Sequence, residues 1–297
     1  MTELSEIIEK HQIDLIHSHF GYLHRILVQN RRKLNVKVIF HDHMDYSWGS
    51  SVLKQKFQQM IYAVAYRFNG IGVISVMEKK SNGYRLCGKK HWYVPNGLSR
   101  DRYVAHSMTR EECREELGIK SSEKFCFFLG WDTMRKGLDV AMKAVELCQH
   151  SGAEFVLGVV GFGPNPSQQQ LDKLENLTGV NPSHPYIRFL KSSEDMFAYH
   201  RAADVYLSAS RFEAFSYGVL EAISQNVPIV VSNIEGTQWS WNYTKCSVFE
   251  NGNAEACAEA LQEAVVTRWD ESNGEQIVDE YSIEKWCDRI LDIYNKM

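Results

Sequence analysis

The chain has 297 residues, of which 44% are apolar and 24% are charged, and its formal net charge is −4 at pH 7. This composition is typical of a globular protein with a full core, built as one large domain or two of ordinary size. No apolar run reaches the roughly 18 residues that a bilayer-spanning helix requires, so no such helix is expected.

Short apolar runs rich in Ile and Val alternate with longer amphipathic segments along the chain. Buried strands are predicted at 13–20, 36–42, 70–76, 90–97, 124–130, 154–161, 186–190, 204–210 and 227–232. Helices are predicted at 21–34, 51–69, 110–117, 137–150, 166–177, 193–202, 217–225 and 254–266. This alternation predicts the α/β fold class, with parallel sheets covered by helices on both faces.

The strands fall into two groups. The run at 124–232 holds five strands, enough for a complete Rossmann-like unit, whereas the portion before Pro95 holds only three or four. Pro95-Asn96-Gly97 marks a turn between them. The last segment starts with an N-cap at Ser282 and is an amphipathic helix that needs an apolar surface. We therefore predict domains at 1–99 and 100–279, followed by a terminal helix within 280–297.

Loops that follow strands are the first candidates for a site, because ligands of parallel sheets bind beyond the carboxyl ends of the strands. Arg135 and Lys136 lie close to a predicted helix N-terminus, where backbone N–H groups also favour anions. Two cations there predict a bound negative group, unless both are ordinary solvated charges. Gly161 and Gly163 follow the next strand and would let the backbone approach a ligand, although turns also use glycine.

Two acids follow a later strand. Glu213 falls in a loop, and Glu221 falls a little over one turn into the next predicted helix. Ionised carboxylates accept hydrogen bonds from vicinal hydroxyls, which a nucleotide sugar presents on its ribose and on its sugar. The acids therefore predict two contacts to such a molecule. The alternative is a favourable interaction with the helix dipole, which suits Glu213 better than Glu221.

Three stretches in order resemble the donor-binding half of retaining GT-B glycosyltransferases, most closely glycosyltransferase family four, the glycosyl transferases group 1 set. They are FFLGWDTMRKGLDVAMKAV, VVGFGP and ADVYLSASRFEAFSYGVLEAISQNVPIVVSN. The segments VISVMEKKSNG and YVPNGLSRDRY resemble the end of the family's first domain and its linker, and the terminal helix resembles its crossover helix. The resemblance implies two Rossmann-like domains, the N-terminal one truncated by roughly 70–80 residues, and a C-terminal crossover helix.

The resemblance also implies roles for individual residues. Lys136 corresponds to a lysine that contacts the donor diphosphate, Glu213 to an acid near the donor sugar, and Glu221 to the acid that holds the ribose hydroxyls. Further donor-binding residues implied are Arg135, Gly161, Gly163, Leu190, Phe215, Ser216, Tyr217, Gly218 and Leu220. The backbone of Leu190 would contact the base, and Phe215 to Leu220 would present N–H groups to the distal phosphate and the sugar. Trp131 stands where the family usually has arginine, and Arg135 would supply that cation.

The first domain is rich in histidine near its predicted strand ends. His19 and His41 follow two strands and would face the inter-domain cleft by the strand rule, and the family often has a histidine at the His41 position, near the reacting sugar. The resemblance thus implies that His41 is catalytic, with Glu213 and Lys136, and that His19 is on the acceptor side. A structural role or a metal cluster is the alternative for these histidines, although no i, i+4 pair with a matching carboxylate stands out.

The function implied is a hexosyltransferase-type glycosyltransferase that moves a sugar from a nucleotide-diphosphate sugar to a glycan or lipid-linked acceptor with retention. Its setting would be the synthesis of cell-surface polysaccharide or glycoconjugate. No metal and no cofactor beyond the donor is expected, since no Asp-x-Asp motif is present. The alternatives are a non-catalytic GT-B homologue and one half of a two-chain enzyme completed by a partner chain or a homodimer. A GT-B phosphorylase is disfavoured by the length of the chain.

Charge and cysteine content bear on the partners. Residues 1–99 hold 14 Lys+Arg against 7 Asp+Glu, whereas the other 198 hold 19 against 30. The basic segment at 24–37 suits peripheral contact with an anionic membrane surface, although ordinary solvated surface explains it equally well. No nucleic acid partner is expected. Seven scattered cysteines without a Cys-x-x-Cys pair, and an acidic N-terminus without a secretory pattern, predict a cytoplasmic protein, with the inner membrane face as its site of action.

Overall fold

The structure is a computed structural model, and it divides into two compact units, Met1–Asn96 with Trp286–Met297, and Gly97–Lys285. The residues that it describes are 2–19, 21–30, 36–43, 72–77, 88–99, 108–131, 133–193, 196–266 and 272–297, with a few isolated positions between 53 and 67. Most of the predicted helix at 51–69 lies outside the described residues. Both units contain a parallel sheet, which confirms the predicted α/β fold class.

The first unit contains a four-stranded parallel sheet in the order β1-β2-β3-β4. Its elements are α1 (Thr2–Lys10), β1 (Leu15–His19), α2 (Gly21–Asn30), β2 (Lys37–Asp42), β3 (Gly72–Ser75) and β4 (Lys90–Tyr93). The C-terminal helix α11 (Ile283–Asn295) packs Ile290 and Ile293 against Ile39 and Ile74 of this sheet. The hydroxyl of Ser282 accepts from the backbone N–H of Lys285, so this serine caps the helix as its position in the sequence predicts.

The second unit contains a six-stranded parallel sheet in the order β10-β9-β8-β5-β6-β7. Its strands are β5 (Lys124–Leu129), β6 (Phe155–Val160), β7 (Ile187–Leu190), β8 (Val205–Ser208), β9 (Ile229–Ser232) and β10 (Cys246–Phe249). Numbered from β5, this is the 3-2-1-4-5-6 order of a doubly wound sheet. The order reverses between β5 and β8, so the loops after these two strands border the crevice in which such sheets bind ligands.

Helices cover both faces of the second sheet. They are α3 (Arg110–Glu116), α4 (Thr133–Lys136), α5 (Leu138–His150), α6 (Gln168–Thr178), α7 (Phe197–Ala202), α8 (Tyr217–Ser224), α9 (Ala254–Ala264) and α10 (Ser272–Glu280), with a 3₁₀ helix at Glu235–Ser240. One apolar layer includes Leu138, Met142 and Leu157, and the other includes Phe127 and Val219. Because each face of the sheet is buried, its strands are nearly continuous runs of apolar residues.

Several elements were not predicted from the sequence. The sixth strand, β10, was missed because only its last residue, Phe249, is fully buried, so it lacks the apolar run of a central strand. The helices α1, α4 and α10 and the 3₁₀ helix were missed as well. The predicted helix at 193–202 begins only at Phe197. The remaining helix limits in the second unit agree with the prediction to within two residues.

Gly137 is expected to be required for folding of the second unit. It has φ +73°, and a β-carbon there would lie 1.9 Å from the carbonyl oxygen of Ala209. Gly137→Ala should therefore destabilise the protein by about 2–4 kcal/mol, from left-handed strain and from the clash together. Thermal unfolding compared with the wild type measures the loss.

Gly179→Ala is the matched control for this substitution. Its φ is +69°, but a β-carbon there meets nothing within 4 Å. It should cost only the conformational term, about 1–2 kcal/mol. Equal losses from the two variants would show that the close approach to Ala209 contributes nothing.

Candidate functional site

The loops after β5 and β8 meet through a charged cluster at the reversal of strand order. Lys136 Nζ donates to Glu213 Oε1 at 2.5 Å, and Ser210 Oγ donates to the same oxygen at 2.9 Å. Arg135 Nη1 lies 3.6 Å from Glu213 Oε2. The carboxylate side chain is only 10% exposed, so these contacts are partly shielded from water. The structure thus brings together three residues that the sequence analysis selected. Glu213 lies 77 positions after Lys136 in the chain.

This arrangement corrects the sequence argument about Arg135 and Lys136. Two cations near a helix N-terminus predicted a bound negative group, and the chain itself supplies one in Glu213. The presence of the two cations therefore does not by itself indicate a bound ligand. Both cations lie with Glu213 at the carboxyl edge of the sheet, where ligands of such sheets bind.

Arg211 is a residue that the sequence analysis missed. Its guanidinium makes two hydrogen bonds to the Asp139 carboxylate, at 2.7 and 2.6 Å, and a third to the carbonyl of Met134 at 2.7 Å. Its backbone N–H donates to the carbonyl of Arg135. The loop that carries Glu213 is thereby fastened to the segment that carries Lys136, which fixes the two side chains relative to each other.

The glycine loop after β6 lies against the end of β5. Gly161 has φ +133°, and a β-carbon there would lie 2.8 Å from the carbonyl carbon of Gly130. Gly163 has φ +78° and faces open space. Leu190, which ends β7, pairs with Val160 in the sheet, and its side chain is buried in the core. These residues lie at the same carboxyl edge as Lys136, but the structure assigns no contact between them and a ligand.

The N-terminus of α8 holds the remaining residues predicted to bind the donor. Ser216 is the N-cap, and its side chain makes no capping hydrogen bond. The N–H groups of Tyr217 and Gly218 belong to the first turn, which has no intrahelical acceptors. The N–H of Leu220 is bonded to the carbonyl of Ser216 and is not available. Phe215 stacks on Trp239 with ring centroids 4.6 Å apart, which anchors the start of the helix.

Glu221 lies in the second turn of α8 and is 9% exposed. Its Oε2 lies 3.4 Å from Nε2 of His200, a fully buried histidine on α7 that the sequence analysis did not select. Within the described part of the chain, neither ring nitrogen of His200 has a hydrogen-bond partner. Burial, together with Glu221 and Glu213, raises the pKa of the neighbouring Tyr206. Glu221 is thus held next to two buried groups, the ring of His200 and the hydroxyl of Tyr206.

In the first unit, His19 and His41 pair with each other in the β1–β2 register at the ends of their strands. His41 is fully buried and His17 Nε2 lies 3.1 Å from its Nδ1. Burial, helped by the neighbouring histidines, lowers the pKa of His17 to about 4 and that of His41 to about 2. Both imidazoles are therefore neutral at pH 7.

The segment predicted to contact a membrane is only partly described. Arg31, Arg32 and Lys33 lie outside the described residues, and Leu27 is buried in the core of the first unit. Across the described part of the chain, the helices are all too short or too polar to cross a bilayer. The structure therefore adds no support for membrane contact through Leu27.

Most of the second unit matches a known protein family. The family model described as Glycosyl transferases group 1 matches residues 109–281, more than half of the chain. A putative teichuronic acid biosynthesis glycosyltransferase of Bacillus subtilis (strain 168) is 25% identical over 192 residues, which are 64% of this chain and 45% of that protein. An alpha-monoglucosyldiacylglycerol synthase of Streptococcus pneumoniae (strain ATCC BAA-255 / R6) is 23% identical over 239 residues, 76% of this chain and 53% of that protein. The chain thus spans about half the length of these curated relatives.

Solved structures share the fold. Sucrose-phosphate synthase from Thermosynechococcus elongatus superposes with a TM-score of 0.81 at 18% identity, over 99% of this chain and 76% of that one. Anabaena HepE, solved in complex with UDP-glucose, superposes with a TM-score of 0.80 at 16% identity, over 100% of this chain and 82% of that one. The GT-B architecture that the motifs predicted is therefore confirmed.

Proposed function

Because this chain belongs to the glycosyl transferases group 1 family, we propose that it transfers a sugar from a nucleotide-diphosphate sugar to a glycan or lipid-linked acceptor, with retention of anomeric configuration. The observation that carries the proposal is the cluster of Lys136 and Arg135 on Glu213 at the reversal of strand order. This is the place where a doubly wound sheet binds nucleotides. The cluster offers cations for the diphosphate and a carboxylate for the sugar hydroxyls.

The chemistry requires stabilisation of a departing nucleoside diphosphate. Lys136, with Arg135, supplies fixed positive charge for the diphosphate as it leaves, and such preorganised charge is commonly the largest single contribution to catalysis. The first-turn N–H groups of α8 add partial positive charge for the distal phosphate. On donor binding, Glu213 exchanges its ion pair for hydroxyls of the sugar.

Other residues of the second unit contact the nucleoside part of the donor. Glu221 accepts hydrogen bonds from the ribose hydroxyls, and the backbone at Leu190 contacts the base. His41 acts near the reacting sugar and His19 on the acceptor side, both in the first unit. In this proposal, side chains and backbone N–H groups stabilise the charge on the donor diphosphate, and no metal ion takes part there.

The acceptor is proposed from the named relatives. One relative is named for teichuronic acid biosynthesis and another for glycolipid synthesis. Both names fit an acceptor that belongs to a cell-surface polymer or a lipid. We therefore infer that the protein works in the cytoplasm at the inner face of the membrane.

A thermal-shift screen with UDP-, GDP-, ADP- and CMP-sugars tests the proposal. A donor at 100 times its dissociation constant should stabilise the protein by about 2.7 kcal/mol, which is about 5–10 °C for a unit of this size. One base should be preferred, and the matching nucleoside diphosphate should also bind. If none of these compounds raises the melting temperature above that with inorganic diphosphate, the donor assignment is wrong.

A non-catalytic homologue is the second candidate, favoured by Trp131. Its side chain stands where family members usually carry arginine, and it is 70% exposed. Donor binding in the screen without transfer to any lipid-linked or glycan acceptor, and without donor hydrolysis, would select this candidate. Slow hydrolysis of the bound donor would select the enzyme.

A further inference from the structure

Four histidines converge on one face of the sheet in the first unit. His17 and His19 are two residues apart on β1, and His41 and His43 are two residues apart at the end of β2. Side chains at i and i+2 project from the same side of a strand. The rings are in contact, with centroids of His17 and His19 4.4 Å apart and those of His41 and His43 4.3 Å apart. We call this group the histidine cluster.

The nitrogen atoms of the histidine cluster approach the spacing of metal ligands. One ring nitrogen from each of His17, His19 and His41 lies within 4.8 Å of the other two. His17 Nε2 lies only 3.1 Å from His41 Nδ1. Nitrogens bound tetrahedrally to Zn²⁺ at about 2.0–2.1 Å are about 3.3 Å apart. The first pair already has this spacing. His19 Nδ1 lies 2.8 Å from His43 Nε2, so His19 has to give up this contact or use its other ring nitrogen to bind the same ion.

Hydrogen bonding within the protein leaves the cluster incomplete. His41 is fully buried, its Nδ1 faces His17, and its Nε2 has no hydrogen-bond partner among the residues that the structure describes. This holds in either tautomer, because one nitrogen then keeps an unused proton or an unused lone pair. Buried polar atoms are nearly always satisfied, so the hydrogen-bonding capacity of the His41 ring is not fully used within the described residues.

The surroundings of the cluster suit a metal ion. The hydroxyl of Tyr294 lies 2.5 Å from His17 Nδ1, the outer nitrogen of a ring whose Nε2 faces the cluster. Metal-ligating histidines are usually oriented by such a second partner on the other ring nitrogen.

We propose that His17, His19 and His41 form a binding site for a divalent transition-metal ion of the Zn²⁺ class. Imidazole nitrogens select Zn²⁺, Cu²⁺, Ni²⁺ or Co²⁺ over Mg²⁺ and Ca²⁺, which prefer oxygen. Three histidines leave a fourth position for water or another ligand, as in open zinc sites. Two of these ligands, His19 and His41, also have roles in the proposed glycosyl transfer, but the test of the metal site needs neither donor nor acceptor. The metal-free assignment above concerns the donor diphosphate only.

Metal binding to the full chain, purified without a histidine tag and stripped with a chelator, tests this site. After equilibration with Zn²⁺ or Co²⁺ and desalting, the wild type should retain one ion per chain by mass spectrometry. Excess Mg²⁺ should not displace it. Bound Co²⁺ should show the visible bands of a low-coordinate nitrogen site, without the intense thiolate band that cysteine ligands would give. Each of His17→Gln, His19→Gln and His41→Gln should lower the affinity by at least about tenfold.

His11→Gln is the matched control, because His11 is an exposed histidine of the same unit. It should bind metal like the wild type. Circular dichroism checks the folding of each variant, and the wild-type stoichiometry and Co²⁺ spectrum remain decisive if a variant misfolds. A wild-type chain that retains no stoichiometric Zn²⁺ or Co²⁺ overturns the proposal. Ligand variants that bind as tightly as His11→Gln overturn it equally.

Discussion

Replacing Lys136 with alanine is expected to lower kcat/KM for the nucleotide-sugar donor by about 10²-fold or more. The ammonium group of Lys136 is the best-placed cation at the reversal of strand order, 2.5 Å from Glu213. In the proposed reaction it stabilises charge that develops on the leaving diphosphate, so kcat should fall more than donor affinity. Steady-state kinetics of transfer or of donor hydrolysis measure the effect. Glu213→Ala should cost a similar factor, because the variant lacks the carboxylate that accepts hydrogen bonds from the sugar hydroxyls in the proposed complex.

Stability should change much less than activity in the Lys136 variant. Glu213 keeps Arg135 and the hydroxyl of Ser210 as partners, so the substitution leaves no orphaned carboxylate. Lys143→Ala is the matched control, since Lys143 forms a comparable ion pair with Glu146 on α5, outside the site. The control should keep wild-type kinetics. Turnover at the wild-type rate in both the Lys136 and the Glu213 variants would rule out this assignment of the site.

Replacing Glu221 with glutamine is expected to weaken donor binding by roughly 10- to 100-fold. This factor corresponds to the loss of one charge-assisted hydrogen bond, which contributes about 1.5–3 kcal/mol. The carboxylate is 9% exposed, so little water competes for it. The sharper readout is discrimination between the ribose donor and its 2′-deoxy analogue. The wild type should prefer the ribose form, and Glu221→Gln should lose most of that preference.

Glu123→Gln is the matched control for this substitution. Glu123 is similarly buried and pairs with Arg188 away from the carboxyl edge of the sheet. Its replacement should alter stability but leave the preference for ribose intact. Equal discrimination by the wild type and Glu221→Gln would show that the acid does not contact the ribose.

Much of the fold could be predicted from the sequence, because strands that are buried on both faces are continuous apolar runs. The limits of α5 and α8 follow from their apolar periodicity. Short or partly exposed elements such as β10 lack that signal. Among the described strands, β10 is an edge strand that pairs only with β9, and its formation depends on that pairing rather than on an apolar pattern of its own.

The site was predictable as a set of residues but not as a set of contacts. Lys136 and Glu213 were both selected, yet nothing in the sequence showed that each is the other's partner. The ion pair between Arg211 and Asp139 depends on the path of the loop after β8. The contact between His200 and Glu221 depends on how α7 and α8 pack. Histidines two residues apart on neighbouring strands were visible in the sequence, but their convergence required the β1–β2 register.

The ion pair between Lys136 and Glu213 has a consequence for selectivity. Lys136 is already paired with Glu213, so inorganic phosphate or a free nucleotide has to compete with this carboxylate for the lysine. A sugar diphosphate brings negative oxygens for the lysine and hydroxyl groups for the carboxylate in one molecule. If the proposed donor site is right, a sugar diphosphate that satisfies both side chains should therefore bind more tightly than inorganic phosphate or the free nucleoside diphosphate.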